Sequence, residues 1–210
     1  MFKYLTVLRE AEVEQVIERS RFIAHVKPVD NREEAESFIA EIRARNKAAS
    51  HNVPAMVIGD KFQTQWASDD GEPQGTAGAP IVQMLVKEGI TNVAVVVTRY
   101  YGGINLGKGG LVRAYTGSAK LGVFGAGICR VNEMSAITIN LDYSFLSKVQ
   151  SLSKVERFEI RDVSYSDAVT MMIEAKPEDT SHVKSVLADI SAGTCKVLSE
   201  SAMLVKTPVE

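Results

Sequence analysis

Two stretches of this chain carry the residue types and spacings that could do chemistry. The first is Arg99-Tyr-Tyr-Gly-Gly-Ile-Asn-Leu-Gly-Lys-Gly-Gly-Leu-Val-Arg-Ala-Tyr115. Glycines without side chains let backbone N–H groups line an exposed concavity, and a following helix N-terminus adds partial positive charge, so the pattern suits a phosphate or carboxylate. The charge pattern points the same way. No Asp or Glu occurs between Glu88 and Glu133, whereas Arg99, Lys108, Arg113, Lys120 and Arg130 fall there. Strand alternation aims Tyr100 and Tyr101 at opposite faces, leaving one free to stack on a base. Spacing alone leaves a second reading open, in which Gly102, Gly103, Gly109 and Gly110 only make a tight strand-to-helix turn and the tyrosines pack. Gly102-x4-Gly107-Lys108 matches the spacing of a P-loop, but Gly109 stands where the magnesium-binding hydroxyl is needed, which argues against NTP hydrolysis.

The second stretch is Ser68-Asp-Asp-Gly-Glu-Pro-Gln-Gly-Thr-Ala-Gly-Ala-Pro80. Its carboxylates, Asp69, Asp70 and Glu72, have the chemistry to bind Mg²⁺ or Ca²⁺ or to act as acid and base. The spacing is not that of an EF-hand loop. Turn building by Ser68 and Asp70, with charge pairing to the basic stretch, is the favoured account. Ser50-His51-Asn52 invites a nucleophile reading, yet nothing supplies a triad, and a hydrogen-bonded His51 at a strand start is expected. No metal, cofactor or catalytic constellation is expected.

The elements that must position these residues are legible from periodicity. Val13–Ile17 and Arg21–Val26 read as strands. Asp30 reads as an N-cap with Glu33 in the capping-box position, followed by a helix with Ala35, Phe38, Ile39 and Ile42 at helical spacing to about Asn46. Strands are expected at Asn52–Ile58 and Phe62–Ser68, with a turn at Gly59-Asp60. A short helix is expected at Pro80–Lys87, and a strand buried on both faces at Val93–Val97. Tyr100–Gly110 reads as a turn and Leu111–Val123 as a helix. Beyond Glu133, Ile137–Leu141, Phe145–Leu152, Phe158–Ser164, Ala168–Ala175, a helix from Pro177 and Cys195–Leu204 give the order βαββαβ, that of a ferredoxin-like fold. The class is α+β, with domains at 1–133 and 134–210.

Composition sets the outer limits. The 210 residues are 45% hydrophobic and 24% charged with a net charge of −2, which excludes wholesale disorder and a uniformly basic coat. Cys129 and Cys195 lie far apart and form no CxxC, so buried reduced thiols are expected rather than zinc or disulfides. No signal-like segment opens the chain and no apolar run approaches bilayer length, so a cytoplasmic protein without membrane contact is expected.

These segments together resemble the IMPACT/YigZ-like family. The residues that carry the resemblance are Ser20-Arg21-Phe22-Ile23-Ala24, Ser50-His51-Asn52, Ser68 to Gly78 with Gly75 and Thr76, and Val97 to Tyr115. One departure lies at Ala49-Ser50-His51, where a Thr is expected directly before the His. The resemblance implies an N-terminal domain like domain IV of elongation factor G, a ribosomal-protein domain-2-like fold. It also implies a ferredoxin-like C-terminal domain similar to domain V, of the bacterial type. By analogy of fold it implies a translation-linked partner, RNA or the ribosome, and no enzymatic activity. Eukaryotic relatives restrain the amino-acid-starvation kinase pathway through a partner protein, which the bacterial type of C-terminal half does not carry over. A monomer or weak dimer is expected. Two alternatives stand beside this reading: a nucleotide- or small-ligand-binding enzyme using Gly102–Gly110, and a protein–protein adaptor.

Overall fold

The computed structural model describes Met1–Val209. It is an α+β protein whose chain divides into two compact units. The larger holds Tyr4–Val131 with the residues from Lys206 onward, and the smaller holds Met1–Lys3 with Asn132–Val205.

After β1 (Phe2–Val7), the larger unit contains β2 (Ala11–Ile17), β3 (Ser20–Pro28), α1 (Arg32–Arg45), β4 (His51–Ile58), β5 (Thr64–Ala67), α2 (Gly78–Lys87), β6 (Val93–Tyr100) and α3 (Gly107–Ala126). Its sheet runs β2-β3-β6-β4-β5, antiparallel throughout. The valine run of β6 lies at the centre, and its period of two feeds two cores. Val93, Val95 and Val97 pack with Ile81 and Leu85 of α2 and Leu111, Tyr115 and Val123 of α3. Ala94 and Val96 pack with Ala35, Phe38, Ile39 and Ile42 of α1.

Strand β1 lies outside the sequence expectation and several element ends shift by a few residues; three of the differences have a clear physical cause. The cap of α1 is Asn31 rather than Asp30, and Glu34 rather than Glu33 stands at the third helical position, its carboxylate reaching back to the residue before the cap. The Glu34 N–H donates to Asn31 Oδ1 at 2.9 Å, while Glu34 Oε2 accepts from the Asp30 N–H at 3.0 Å. Adjacent cap-competent residues are followed by adjacent glutamates, so either register satisfies the motif locally. Strand β6 continues to Tyr100 because Thr98 and Arg99 still pair with Ile23 and Phe22 on one side and Asn52 and His51 on the other. Helix α3 begins at Gly107, so Lys108, Gly109 and Gly110 form its first turn rather than a loop. Glycine's poor helix propensity is overridden by Leu106 and Leu111, which anchor this turn in the core.

The smaller unit contains most of β7 (Ile128–Leu141), then α4 (Leu146–Leu152), β8 (Phe158–Tyr165), β9 (Val169–Ala175), α5 (Thr180–Ile190) and most of β10 (Lys196–Pro208). Its sheet order is β1-β7-β9-β8, with β10 also on β7. Ile137, Ile139 and Leu141 pack with Met171, Ile173, Val149 of α4 and Val183 and Leu187 of α5. Strand β7 starts nine residues before the expected Ile137, because Ile128 to Ala136 alternate only weakly in burial. The Cys129 thiol is buried and that of Cys195 half-buried, and burial raises both thiol pKa values.

Candidate functional site

The C-terminal end of β6 brings the two chemical stretches together. Alternation along β6 carries Arg99 onto the α3 side, one step beyond Val97, and there it is 4% exposed. Its Nη1 donates to Glu72 Oε1 at 2.6 Å. The same oxygen accepts from the Tyr115 hydroxyl at 2.7 Å and lies 3.7 Å from His51 Nε2. Arg99 Nη2 donates to Ser20 Oγ at 3.3 Å. The guanidinium lies over two rings, 5.4 Å from the centroid of Phe22 and 5.2 Å from that of Tyr101. Phe22 in turn meets Tyr115 edge-on at 5.3 Å. Burial, and then the bond to Glu72, raise the Tyr115 hydroxyl far above its ordinary pKa, so it remains a donor. Arg99 was expected among the surface cations. It is instead a buried support, because Glu72 from the acidic loop neutralises it and aromatic faces cover it.

The acidic loop is built for shape. Asp69 accepts from the N–H groups of Gly75, Ala77 and Gly78 at 2.7, 3.1 and 2.9 Å, where α2 begins. Burial opposes ionisation of Asp69, but these three bonds together hold its carboxyl below the usual range. Asp70, in the left-handed region at φ +48°, accepts from the Asn52 N–H at 2.6 Å and from Arg43 at 3.0 Å. Ser68 Oγ accepts from the Asp70 N–H at 3.2 Å, and Thr76 donates to the Pro73 carbonyl at 2.6 Å. His51 Nδ1 lies 2.8 Å from the Asp70 carbonyl, which requires the proton on that nitrogen. The three carboxylates thus serve separate partners. Among the described residues no group of three or more His, Cys, Asp or Glu side chains could hold a metal ion.

Above this support lies an exposed face. Tyr101 is 46% exposed; its ring covers Arg99, its hydroxyl donates to Asn105 Oδ1 at 3.0 Å, and its N–H donates to Ser50 Oγ at 3.1 Å. Tyr100 points to the other side of the sheet, half-buried, with its hydroxyl on Asn46 and Arg21 over its ring at 4.6 Å. Gly102 is pressed against the β2–β3 turn: an added Cβ would lie 2.1 Å from the Arg19 carbonyl carbon and oxygen. Gly103 is open and in the left-handed region at φ +84°. Lys108 and Arg113 are exposed on the first turns of α3, and neither side chain has an ion-pair or hydrogen-bond partner among the described residues. Lys120 lies farther along α3 and is paired with Glu88 at 2.8 Å. Ser20, Asn105 and Tyr115 join the site without having been singled out in the sequence as site residues. All three lie within the motifs quoted there, but their roles depend on strand register and on Glu72.

The fold and this motif-rich end define a two-unit α+β protein built on an Impact N-terminal domain. That family model matches residues 18–123, and a domain of unknown function, DUF1949, matches residues 139–194. The chain is 36% identical to "IMPACT family member YvyE" of Bacillus subtilis, over 92% of this chain and 89% of that protein. It is 32% identical to "IMPACT family member YigZ" of Escherichia coli, over 95% of this chain and 98% of that protein. With "Protein IMPACT" of Mus musculus it shares 39% identity over 94 residues, 29% of that protein. A solved structure titled "Crystal structure of an hypothetical protein" superposes with a TM-score of 0.61 at 32% identity, covering 95% of this chain and 98% of that one. The chain belongs to the IMPACT family. Among the described residues no helix is long and apolar enough to cross a membrane.

Proposed function

We propose that this chain is a translation-linked binding protein that takes single-stranded RNA, free or on the ribosome, across the Tyr101 face. The observation that carries the reading is an exposed tyrosine ring seated on a buried guanidinium, with Lys108 and Arg113 exposed and unpaired on the first turns of the helix that follows it. A fixed aromatic face stacks on any base, and unpaired cations neutralise backbone phosphates. The order β10-β7-β9-β8, with α4 and α5 packed on one core, supports a ferredoxin-like, domain V-like assignment for the smaller unit. It favours the elongation-factor analogy for the whole chain. The nucleotide-enzyme alternative has less support, since Gly109 stands at the first turn of α3 where a P-loop needs its magnesium-binding Ser or Thr hydroxyl.

The test is fluorescence anisotropy with a labelled nine-nucleotide single-stranded RNA across a salt series, beside ribosome co-sedimentation. Tyr101→Ala is expected to weaken binding by about 1–3 kcal/mol, the worth of one base stack. Lys108→Ala and Arg113→Ala are each expected to flatten the salt slope by about 0.7. No RNA binding at low salt, together with no ribosome association, refutes the proposal.

A further inference from the structure

The turn between β2 and β3 breaks a local rule. Ile17 pairs with Ser20, so Glu18 and Arg19 form a two-residue hairpin turn, and both lie in the left-handed region at φ +46° and +64°. Such turns favour Asn-Gly because bulky residues are strained there. Here two long charged side chains occupy it, and the backbone of Gly102 holds the turn from behind. Glu18 lines a cleft of about 400 Å³, within the ~300–1,000 Å³ range of small-molecule sites. The cleft has apolar walls of Ile17, Ile104 and Leu106, and Asn105 and Arg113 also line it. Glu18 and Arg113 share this cleft, yet neither side chain pairs with the other or with anything else among the described residues. Asn105 Oδ1 is taken by the Tyr101 hydroxyl, which leaves its amide N–H groups free to donate.

From this we infer that the cleft is a base-reading pocket for guanine, beside the Tyr101 face. The inference rests on the RNA reading above and names which base that site selects. The aliphatic side chains of Ile17, Ile104 and Leu106 give a base ring something to lie against, and the polar groups beside them can read its edge. A carboxylate accepts from the N1–H and N2 amine of guanine, and a guanidinium donates to its O6 and N7, the commonest specific arginine–base contact. Uracil has only one such donor, and adenine lacks the O6 acceptor. Glu18 and Arg19 are new to the site: Glu18 as the acceptor that reads the base, and Arg19 as an exposed cation on the same turn.

The test compares binding of oligo(U) nonamers that carry a central guanosine, a central inosine or neither. For the parent protein the guanosine is expected to tighten binding about tenfold. Inosine, which lacks the N2 amine, should lose most of that gain. Glu18→Gln should abolish the preference, and, with one negative charge fewer beside the RNA backbone, should bind oligo(U) no more weakly than the parent. Glu18→Gly removes the carboxylate and relieves the left-handed backbone. It should melt no lower than the parent and still lose the preference, which separates recognition from folding. Equal binding of all three oligonucleotides, with Tyr101→Ala weakening each, overturns the guanine pocket and leaves the stacking face standing. No binding of any of them at low salt overturns both. GMP as competitor identifies the source of the base: weak competition supports a guanine within RNA, and competition as strong as the oligonucleotide's assigns the cleft to free guanine nucleotides.

Discussion

Replacing Glu72 by Ala should be among the most destabilising single changes in the larger unit. Its Oε1 accepts from Arg99 and from the Tyr115 hydroxyl, both buried. Removing one partner of a buried ion pair typically costs about 3–5 kcal/mol, because the remaining charge stays buried and unpaired. An orphaned buried hydroxyl adds about 1–3 kcal/mol. Arg99 keeps Ser20 Oγ and two ring faces, which offset part of the loss. A net loss of about 4 kcal/mol is expected, and for a chain of this size that corresponds to a melting point lower by roughly 8–16 °C. Glu72→Gln keeps an acceptor and should lose less. Glu72→Leu combined with Arg99→Met removes both charges and should cost clearly less than the two single changes summed. Urea unfolding reads this as a lower midpoint at constant slope. A Glu72→Ala loss below about 1 kcal/mol, or a double variant as costly as the sum of the singles, would falsify the account of Arg99 as a neutralised buried support.

Two other outcomes follow from the structure. Gly102→Ala places a methyl 2.1 Å from backbone atoms of Arg19, and backbone cannot swing aside as a flexible side chain can. It should cost about 1–3 kcal/mol and weaken RNA binding as the Tyr101 loop shifts; an unchanged melting curve would contradict the close approach. His25 is buried beside Glu12 at 3.1 Å, with Arg45 also on Glu12, and its Nε2 has no partner. Burial lowers its pKa below 6.5, outweighing the pull of Glu12. The folded state therefore resists the proton: the contribution is complete above pH 6.5 and is lost as pH falls below it toward the lower folded value. The stability of His25→Gln should vary less with pH than the parent's across that window. Identical slopes would rule out His25 as the source.

Periodicity located most elements, because the forces that set them are local. Ala35, Phe38, Ile39 and Ile42 stand at helical spacing and are all buried on α1. The run Val93–Val97 is buried on both faces, as an unbroken apolar strand should be. What escaped the sequence depends on distant partners. Arg99 looked like one of five free cations because counting charges does not reveal what lies opposite. Its burial is decided by Phe22 and His51 across the sheet and by Glu72, 27 residues away. The start of α3 escaped because four residues with three glycines read as a turn until Leu106 and Leu111 are seen to hold them. The pairing of the acidic loop with the basic stretch was legible as a tendency of opposite charges, but its geometry was not. The cap of α1 slipped by one residue because Asp30-Asn31 and Glu33-Glu34 offer two equivalent registers.

One oxygen of Glu72 serves side chains from β6 and α3 and lies near a third on β4. Such a hub constrains how related sequences can diverge. A change at Arg99 alone strands an acid, a change at Glu72 alone strands a base, and either one disturbs the seat of Tyr101. These positions are therefore expected to be epistatic: drift passes through a trough of low stability unless two of them change together. Variant libraries randomised at Glu72, Arg99 and Tyr115 should accordingly yield survivors that are correlated combinations rather than independent picks, and the surface ring would inherit its persistence from a junction it does not expose.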